Sequence, residues 1–251
     1  MASKPFTIPS MIDIKHKDSD IILELFNAGA HFGFVRSRRH PSAKPFIFGV
    51  KNRIEIFDLE KTSQSLIRAI EFMKNLGTAG VSVLFVGGKG EARVAVKAGA
   101  LALGMPYVDG RWIGGTLTNF TQIKKRVAKL EDLTAQKEKG ELAKYTKRER
   151  MLIDKEIENL KRFFEGLIPM KELPKALFVV DSKKEDIAVK EANARGIPVA
   201  ALCGSDCDIT AVDYAISAND ASVASIKFIV NKIVEAYKAG RSSAPSAVAK
   251  K

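Results

Sequence analysis

Three uninterrupted apolar runs constrain this chain more than any other feature. They are "VSVLFVGG" (81–88), "ALFVVD" (176–181) and "IPVAALC" (197–203). Each is too short for a helix with a full apolar face, and none alternates with polar residues. A strand of this kind is buried on both faces, which is the pattern of a parallel sheet covered by helices on both sides. The segments between them agree. "EARVAVKAGALALG" (91–104) reads as a helix stopped by Gly104, and "KEDIAVKEANARG" (184–196) as another. Shorter strand candidates are "IEIF" (54–57), "PYVD" (106–109) and "DYAIS" (213–217). Asp58 is placed to cap a helix through about Leu76. A long helix is expected from Asn219 or Asp220 to about Lys238, and one more through "DIILELFNAGA" from Ser19 or Asp20. The fold class is therefore α/β, with right-handed crossovers.

Residues 117–167 break the alternation. Ile123, Val127, Leu130 and Thr134 step by four, three and four. Ile153, Ile157, Leu160, Phe164 and Leu167 repeat that spacing, which is the seam of two helices packed lengthwise. Gly140 lies in the polar stretch between them and suits a tip. The result is an antiparallel helical hairpin inserted into the body, each helix about 30 Å long at 1.5 Å per residue. It is entered through "VDGRWIGGTLTNF" (108–120). Gly114 and Gly115 serve as its hinge, Thr116 or Thr118 as its helix cap, and Trp112 as a packing residue. The organisation expected is an arm (1–20), the first part of the body (21–110), the hairpin (111–170), the second part of the body (171–240) and a disordered basic tail (241–251).

Charge narrows the function. With 41 Lys and Arg against 29 Asp and Glu, the chain carries a formal net charge of +12. Such a surface favours polyanions. No window of 18 apolar residues exists, and the first twenty residues lack the apolar core of a signal peptide. Two cysteines, Cys203 and Cys207, do not make a secreted disulfide framework, so a reducing, cytosolic setting is expected. The strongest local signal is "HFGFVRSRRHPSAKPFIFGVKNR" (31–53), read as loop and short extended pieces. It holds Arg36, Arg38, Arg39, Lys44, Lys51 and Arg53 without one acidic residue. The arginines offer planar forks for phosphate oxygens. Six such contacts would give a log–log salt slope of roughly −4 to −5. Phe32, Phe34, Phe46 and Phe48 are expected mainly to anchor the segment to the body, with base stacking as the other use of such rings.

Chemistry is weakly signalled elsewhere. "GGKGEAR" (87–93) begins a dinucleotide fingerprint, but Arg93 takes the third glycine's place, and no P-loop is present. A tight strand-to-helix turn explains it, with Lys89 and Arg93 free to meet a phosphate. "CGSDCD" (203–208) has two thiols with Asp206 and Asp208 nearby, but His16, His31 and His40 are distant in sequence, so zinc lacks a ligand set. No nucleophile elbow or zinc-protease motif occurs. Acids after "IPVAALC" occupy positions where α/β enzymes keep active residues, and turns or caps explain them equally. An α/β enzyme acting on a phosphorylated metabolite is the alternative to a nucleic-acid-binding protein.

Five ordered blocks add a resemblance: "AGAHFGF…RRHPSAKPFIFGVKNRIEIFDLEKT", "YVDGRWIGGTLTNF", "LPKALFVVD", "EANARGIPVAALCGSDCD" and "DYAISAND". From about residue 20 to 240 the chain resembles the family of small-subunit ribosomal protein two, in its bacterial form. The resemblance implies a Rossmann-like body without nucleotide chemistry, a protruding coiled-coil hairpin, and no catalysis, metal or cofactor. It implies binding to small-subunit ribosomal RNA near the head–body junction and contacts with neighbouring ribosomal proteins. Ribosomal protein one is implied as a further partner in lineages that have it. RNA contact would fall on Arg36, Arg38, Arg39, Lys44, Lys51 and Arg53 and on the Arg111–Trp112 corner. Phe34 stands where a histidine is common, and "GGKGEA" replaces a more basic "TKRQA"-like turn. "GSDCDI" and "SANDA" differ from the usual "TNCDP" and "GNDDA".

Overall fold

A computed structural model describes residues 20–243. The expected arm, apart from residue 20, and positions 244–251 of the expected tail lie outside the described residues. In chain order the elements are α1 (20–27), β1 (Phe32–Val35), β2 (Ile47–Lys51), β3 (Ile54–Phe57), α2 (Leu59–Ala79), β4 (Val83–Val86), α3 (Gly90–Leu103) and β5 (Tyr107–Val108). They continue with α4 (Phe120–Glu138), α5 (Lys147–Phe164), β6 (Ala176–Val180), α6 (Asp186–Ala194), β7 (Val199–Cys203), β8 (Tyr214–Ser217) and α7 (Val223–Ser243).

The apolar runs form the parallel sheet that their composition demands. Its strand order is β5-β4-β6-β7-β8, with every pair parallel. Successive side chains alternate between two cores, as the two-residue period of a strand requires. Phe85, Phe178, Val180 and Leu202 enter one core with α2, α3 and α7. Leu84, Val86, Leu177, Val179 and Ala201 enter the other with α4, α5 and α6. Helices therefore cover both faces. Among the described residues no helix is long and apolar enough to cross a membrane.

Local signals act as expected at several ends. Asp58 accepts hydrogen bonds from the Glu60 and Lys61 amides at the start of α2, and Gly104 ends α3 in the left-handed region at φ 67°. α7 begins later than expected because Asn219 and the residues after it form a turn first. Its side-chain oxygen accepts from the Ala221 and Ser222 amides. The helix then runs on through Ser243.

Two expectations need correction. "IEIF" does not join the parallel sheet. It is β3, the centre of a separate antiparallel sheet of order β1-β3-β2, because the "KNRI" turn folds β2 directly back on it. Thr116 and Thr118 do not cap α4: the Thr116 hydroxyl donates to the Ile113 carbonyl and the Thr118 hydroxyl to Glu191. Asn119 holds the cap position without a side-chain bond. The capped helix of the pair is α5, where Thr146 and Glu149 form a reciprocal capping box. α4 and α5 pack on each other through Ile123, Val127, Leu130, Ile157, Leu160 and Phe164, with Lys129–Glu156 and Lys137–Asp154 pairs outside the seam. Gly140 turns the chain between them at φ 74°.

α2 and α7 approach closely enough that glycine is required at the contact. A methyl group on Gly77 would overlap the Tyr237 carbonyl oxygen, and one on Gly240 would overlap that of Lys74. Gly77→Ala should therefore destabilise the fold by about 1–3 kcal/mol through overpacking. The result expected in urea titration is a lower midpoint with an unchanged slope.

Candidate nucleic-acid interface

The parallel strands end together at one edge, where α/β proteins bind their ligands. Here the chain's own small sheet is seated across part of that edge, beside a cavity of about 430 Å³ lined by Arg38, Arg39, His40, Ser182, Lys183 and Asp206. Ser205, just beyond β7, holds the small antiparallel sheet: its hydroxyl accepts from the Phe34 amide at 2.9 Å and its carbonyl from the His40 amide at 2.9 Å. The Ser42 hydroxyl accepts from the Ile209 amide, and the Asn219 amide group donates to the Gly29 carbonyl. Ser205 is wholly buried as a result.

The glycine turn and its lysine, which a phosphate would need, are taken by internal groups. The Gly88 amide donates to Glu185 Oε1 at 3.1 Å. Gly88 is there because a side chain would strike the Gly110 carbonyl. Lys89 Nζ lies 3.0 Å from Asp220 Oδ2 and 3.2 Å from Asp181 Oδ2. Burial alone would lower the Lys89 pKa, but the two carboxylates outweigh it and raise it. The Asp220 carboxyl is pushed up to about 6 by burial and by the Asp181 charge. Asp181 is held below its ordinary value, because the Lys184 amide and Lys89 overcome its desolvation.

The thiols lie beside this cluster. Cys203 and Cys207 are both free and buried. Asp181, Cys207 and Asp220 bring ligand-type atoms within 4.8 Å of one another, with the Lys89 ammonium already bonded to both carboxylates. The hydrogen bond with Cys207 and burial push the Cys203 thiol well up, so it is a neutral thiol and a poor metal ligand.

The hairpin corner repeats the theme. Glu191 on α6 is buried and accepts from Trp112 Nε1 at 3.2 Å, the Gly115 amide at 2.7 Å, and the Leu117 and Thr118 amides at 3.0 and 3.1 Å. The Thr118 hydroxyl completes the set at 3.1 Å. Burial alone would raise this carboxyl, but these donors hold it below the ordinary glutamate value. Gly115 adopts φ 93°, which lets the chain wrap the carboxylate. The sequence reading had no signal for Glu191, since one acid in an amphipathic helix looks like a surface residue.

The expected RNA-contact residues divide accordingly. Arg36, Lys44, Lys51, Arg53 and Arg111 are exposed. Among the described residues none of the five forms an ion pair. The structure gathers three of them. Lys51 pairs with Ile54 across a two-residue turn, Val35 pairs with Ile54 from the other side, and the Arg36 amide donates to the Arg53 carbonyl. Asn52 and Arg53 have φ 52° and 68°, the signature of a type I′ hairpin turn. An arginine in that conformation is strained, and strain of this kind collects at functional positions.

Arg39 and Trp112 are turned inward, Trp112 as the packing residue that its sequence context gives and neither as the free RNA contact that the resemblance implies. Arg39 Nη1 lies 3.0 Å from Oε1 of the fully buried Glu55, so its fork neutralises an internal charge. The Trp112 indole is 6% exposed and packs in the core between sheet and hairpin. Arg38 is intermediate: it is exposed, 3.9 Å from Asp206, and 4.9 Å from the Phe34 ring. That ring is also 5.6 Å from Lys89, so Phe34 acts as the anchor expected of it.

Comparison with known proteins supplies the family context. A family model described as "Ribosomal protein S2" matches residues 25–240. A small ribosomal subunit protein uS2 of Chloroflexus aggregans is 42% identical over 215 residues, covering 86% of this chain and 90% of that protein. One of Roseiflexus sp. (strain RS-1) is 45% identical over 217 residues, covering 86% and 83%. One of Coprothermobacter proteolyticus is 43% identical over 218 residues, covering 87% and 81%.

Two outcomes follow from the buried carboxyls. Glu191→Gln keeps the shape but turns a donor toward the amides, which should destabilise the protein by about 2–3 kcal/mol. Hydrogen exchange at Gly115, Leu117 and Thr118 should accelerate before exchange elsewhere in the sheet. Asp220 takes up a proton more readily folded than unfolded, so its contribution to stability is greatest below about pH 4 and is lost as pH rises through about 6. Relative to Asp220→Asn, the wild type should lose stability on the order of 2 kcal/mol between pH 4 and 7. Urea titrations of both proteins across that range would reveal a flat difference if the reading were wrong.

Proposed function

From the premise that the chain belongs to the ribosomal protein S2 family, we propose that its small antiparallel sheet is the surface that grips ribosomal RNA. The protein is a non-catalytic structural constituent of the small ribosomal subunit, with ribosomal RNA and other ribosomal proteins as its partners. The observation that carries the proposal is that Arg36, Lys44, Lys51 and Arg53 are exposed and, among the described residues, form no ion pair, all within the segment that builds the small antiparallel sheet, with Arg111 at the hairpin corner. Glu55, the acid in the middle of β3, is buried against Arg39 and does not weaken that field.

The mechanism is electrostatic and geometric. Cations neutralise phosphates and release counterions, and the rigid mount fixes which phosphates they reach. Arg39 and Trp112 serve this interface from behind, Arg39 by balancing Glu55 and Trp112 by seating the loop that carries Arg111. Ribosomal protein one is the specific protein partner of this reading, carried over from the family resemblance, and co-sedimentation of the two purified proteins tests it.

The choice of residues for a test follows from the geometry. Replacing Arg36, Lys44, Lys51 and Arg53 with glutamine should leave the melting temperature nearly unchanged. It should weaken binding to small subunits depleted of this protein and reduce the log–log salt slope by roughly 3. Co-sedimentation across a salt series checks both. Arg39→Gln, in contrast, should lower stability, because it strands a buried carboxylate.

A further inference from the structure

Phe48 does not do what its sequence context suggests. It was expected to anchor the basic segment, and it is instead 80% exposed, more than any other large apolar side chain among the described residues. The cause is a break in register. Ile47 pairs with Phe57 and Gly49 with Ile56, so Phe48 is the extra residue of a β-bulge on the edge strand β2. A bulge re-aims a side chain out of the pleat. Its neighbour Gly49 is open as well, since a methyl group there would meet nothing within 4 Å.

A bare phenyl ring on a sheet edge is a liability unless a partner covers it. Its setting selects the partner. Lys44 precedes β2, Lys51 is its last residue and Arg53 follows it, with Arg36 beside the same turn. From residue 31 to 54 there is no acidic residue. A protein partner bringing a neutral apolar knob would leave these cations unmatched. An unpaired nucleobase on the ring, with its flanking phosphates on the cations, satisfies both.

We propose that Phe48 is a stacking platform for one unpaired base of ribosomal RNA. This rests on the reading that the small antiparallel sheet binds RNA, and it adds a non-electrostatic contact to that surface. Stacking needs a flat aromatic face, not merely apolar bulk, and this separates it from ordinary hydrophobic docking.

The experiment uses the full chain and small subunits depleted of it, over a salt series. Phe48→Leu should weaken binding about tenfold at every salt concentration, with the slope unchanged, and Phe48→Tyr should bind within about twofold of wild type. Because the side chain is exposed, both variants should melt as the wild type does. A benzophenone amino acid at position 48 should crosslink to ribosomal RNA. Full binding by Phe48→Leu, alongside weakened binding by the four-cation variant, would overturn the stacking role and leave the RNA-binding surface standing. Crosslinking solely to a neighbouring ribosomal protein would overturn it as well. Wild-type binding by both Phe48→Leu and the four-cation variant would bring down the underlying reading too.

Discussion

The buried Ser205, with its hydroxyl on the Phe34 amide and its carbonyl on the His40 amide, decides how the rest of this molecule works. A parallel sheet leaves a crevice at the carboxyl end of its strands, and that crevice normally receives a ligand. Here two hydrogen bonds seat the chain's own basic element across it. The sheet becomes a mount, and the element it carries becomes the outward surface.

Charge is sorted by the same arrangement. Inside, the main buried charges have partners: Lys89 has Asp181 and Asp220, Arg39 has Glu55, and Glu191 has an indole, three backbone amides and a hydroxyl. Partnering of this kind is what makes buried charge tolerable, and it consumes the groups an enzyme would need free. Outside, Arg36, Lys44, Lys51 and Arg53 are exposed, and the proposed RNA contact falls on them. The Phe48 bulge belongs to that outer set, as a flat apolar face among charges.

How much was legible in the sequence depended on the range of the interaction that decides each feature. The strands of the parallel sheet were legible because burial on both faces writes itself as consecutive apolar residues, as in "VLFV" and "ALFVV". The two helices of the 117–167 segment were legible because Ile123, Val127 and Leu130 repeat at helical spacing. The exposed cations were visible as residue types. The inward bonds of Trp112 and Arg39 were not legible, because an aromatic or a cation has the same letter whether it faces a partner or a buried acid. The acids in question, Glu191 and Glu55, lie 79 and 16 residues away.

The sequence by itself thus determined the α/β class, the helical interruption, the polyanion-seeking charge and, through ordered blocks, the family. These follow from local periodicity and composition, which need no knowledge of what meets what. Only the tertiary structure decided that β3 joins a second sheet, that the basic segment is seated at the ligand crevice, and which cations face outward. It also decided that Phe48 stands clear of the core. Those outcomes depend on strand register and on pairings between distant segments, and a shift of one residue in β2 would have turned the ring elsewhere.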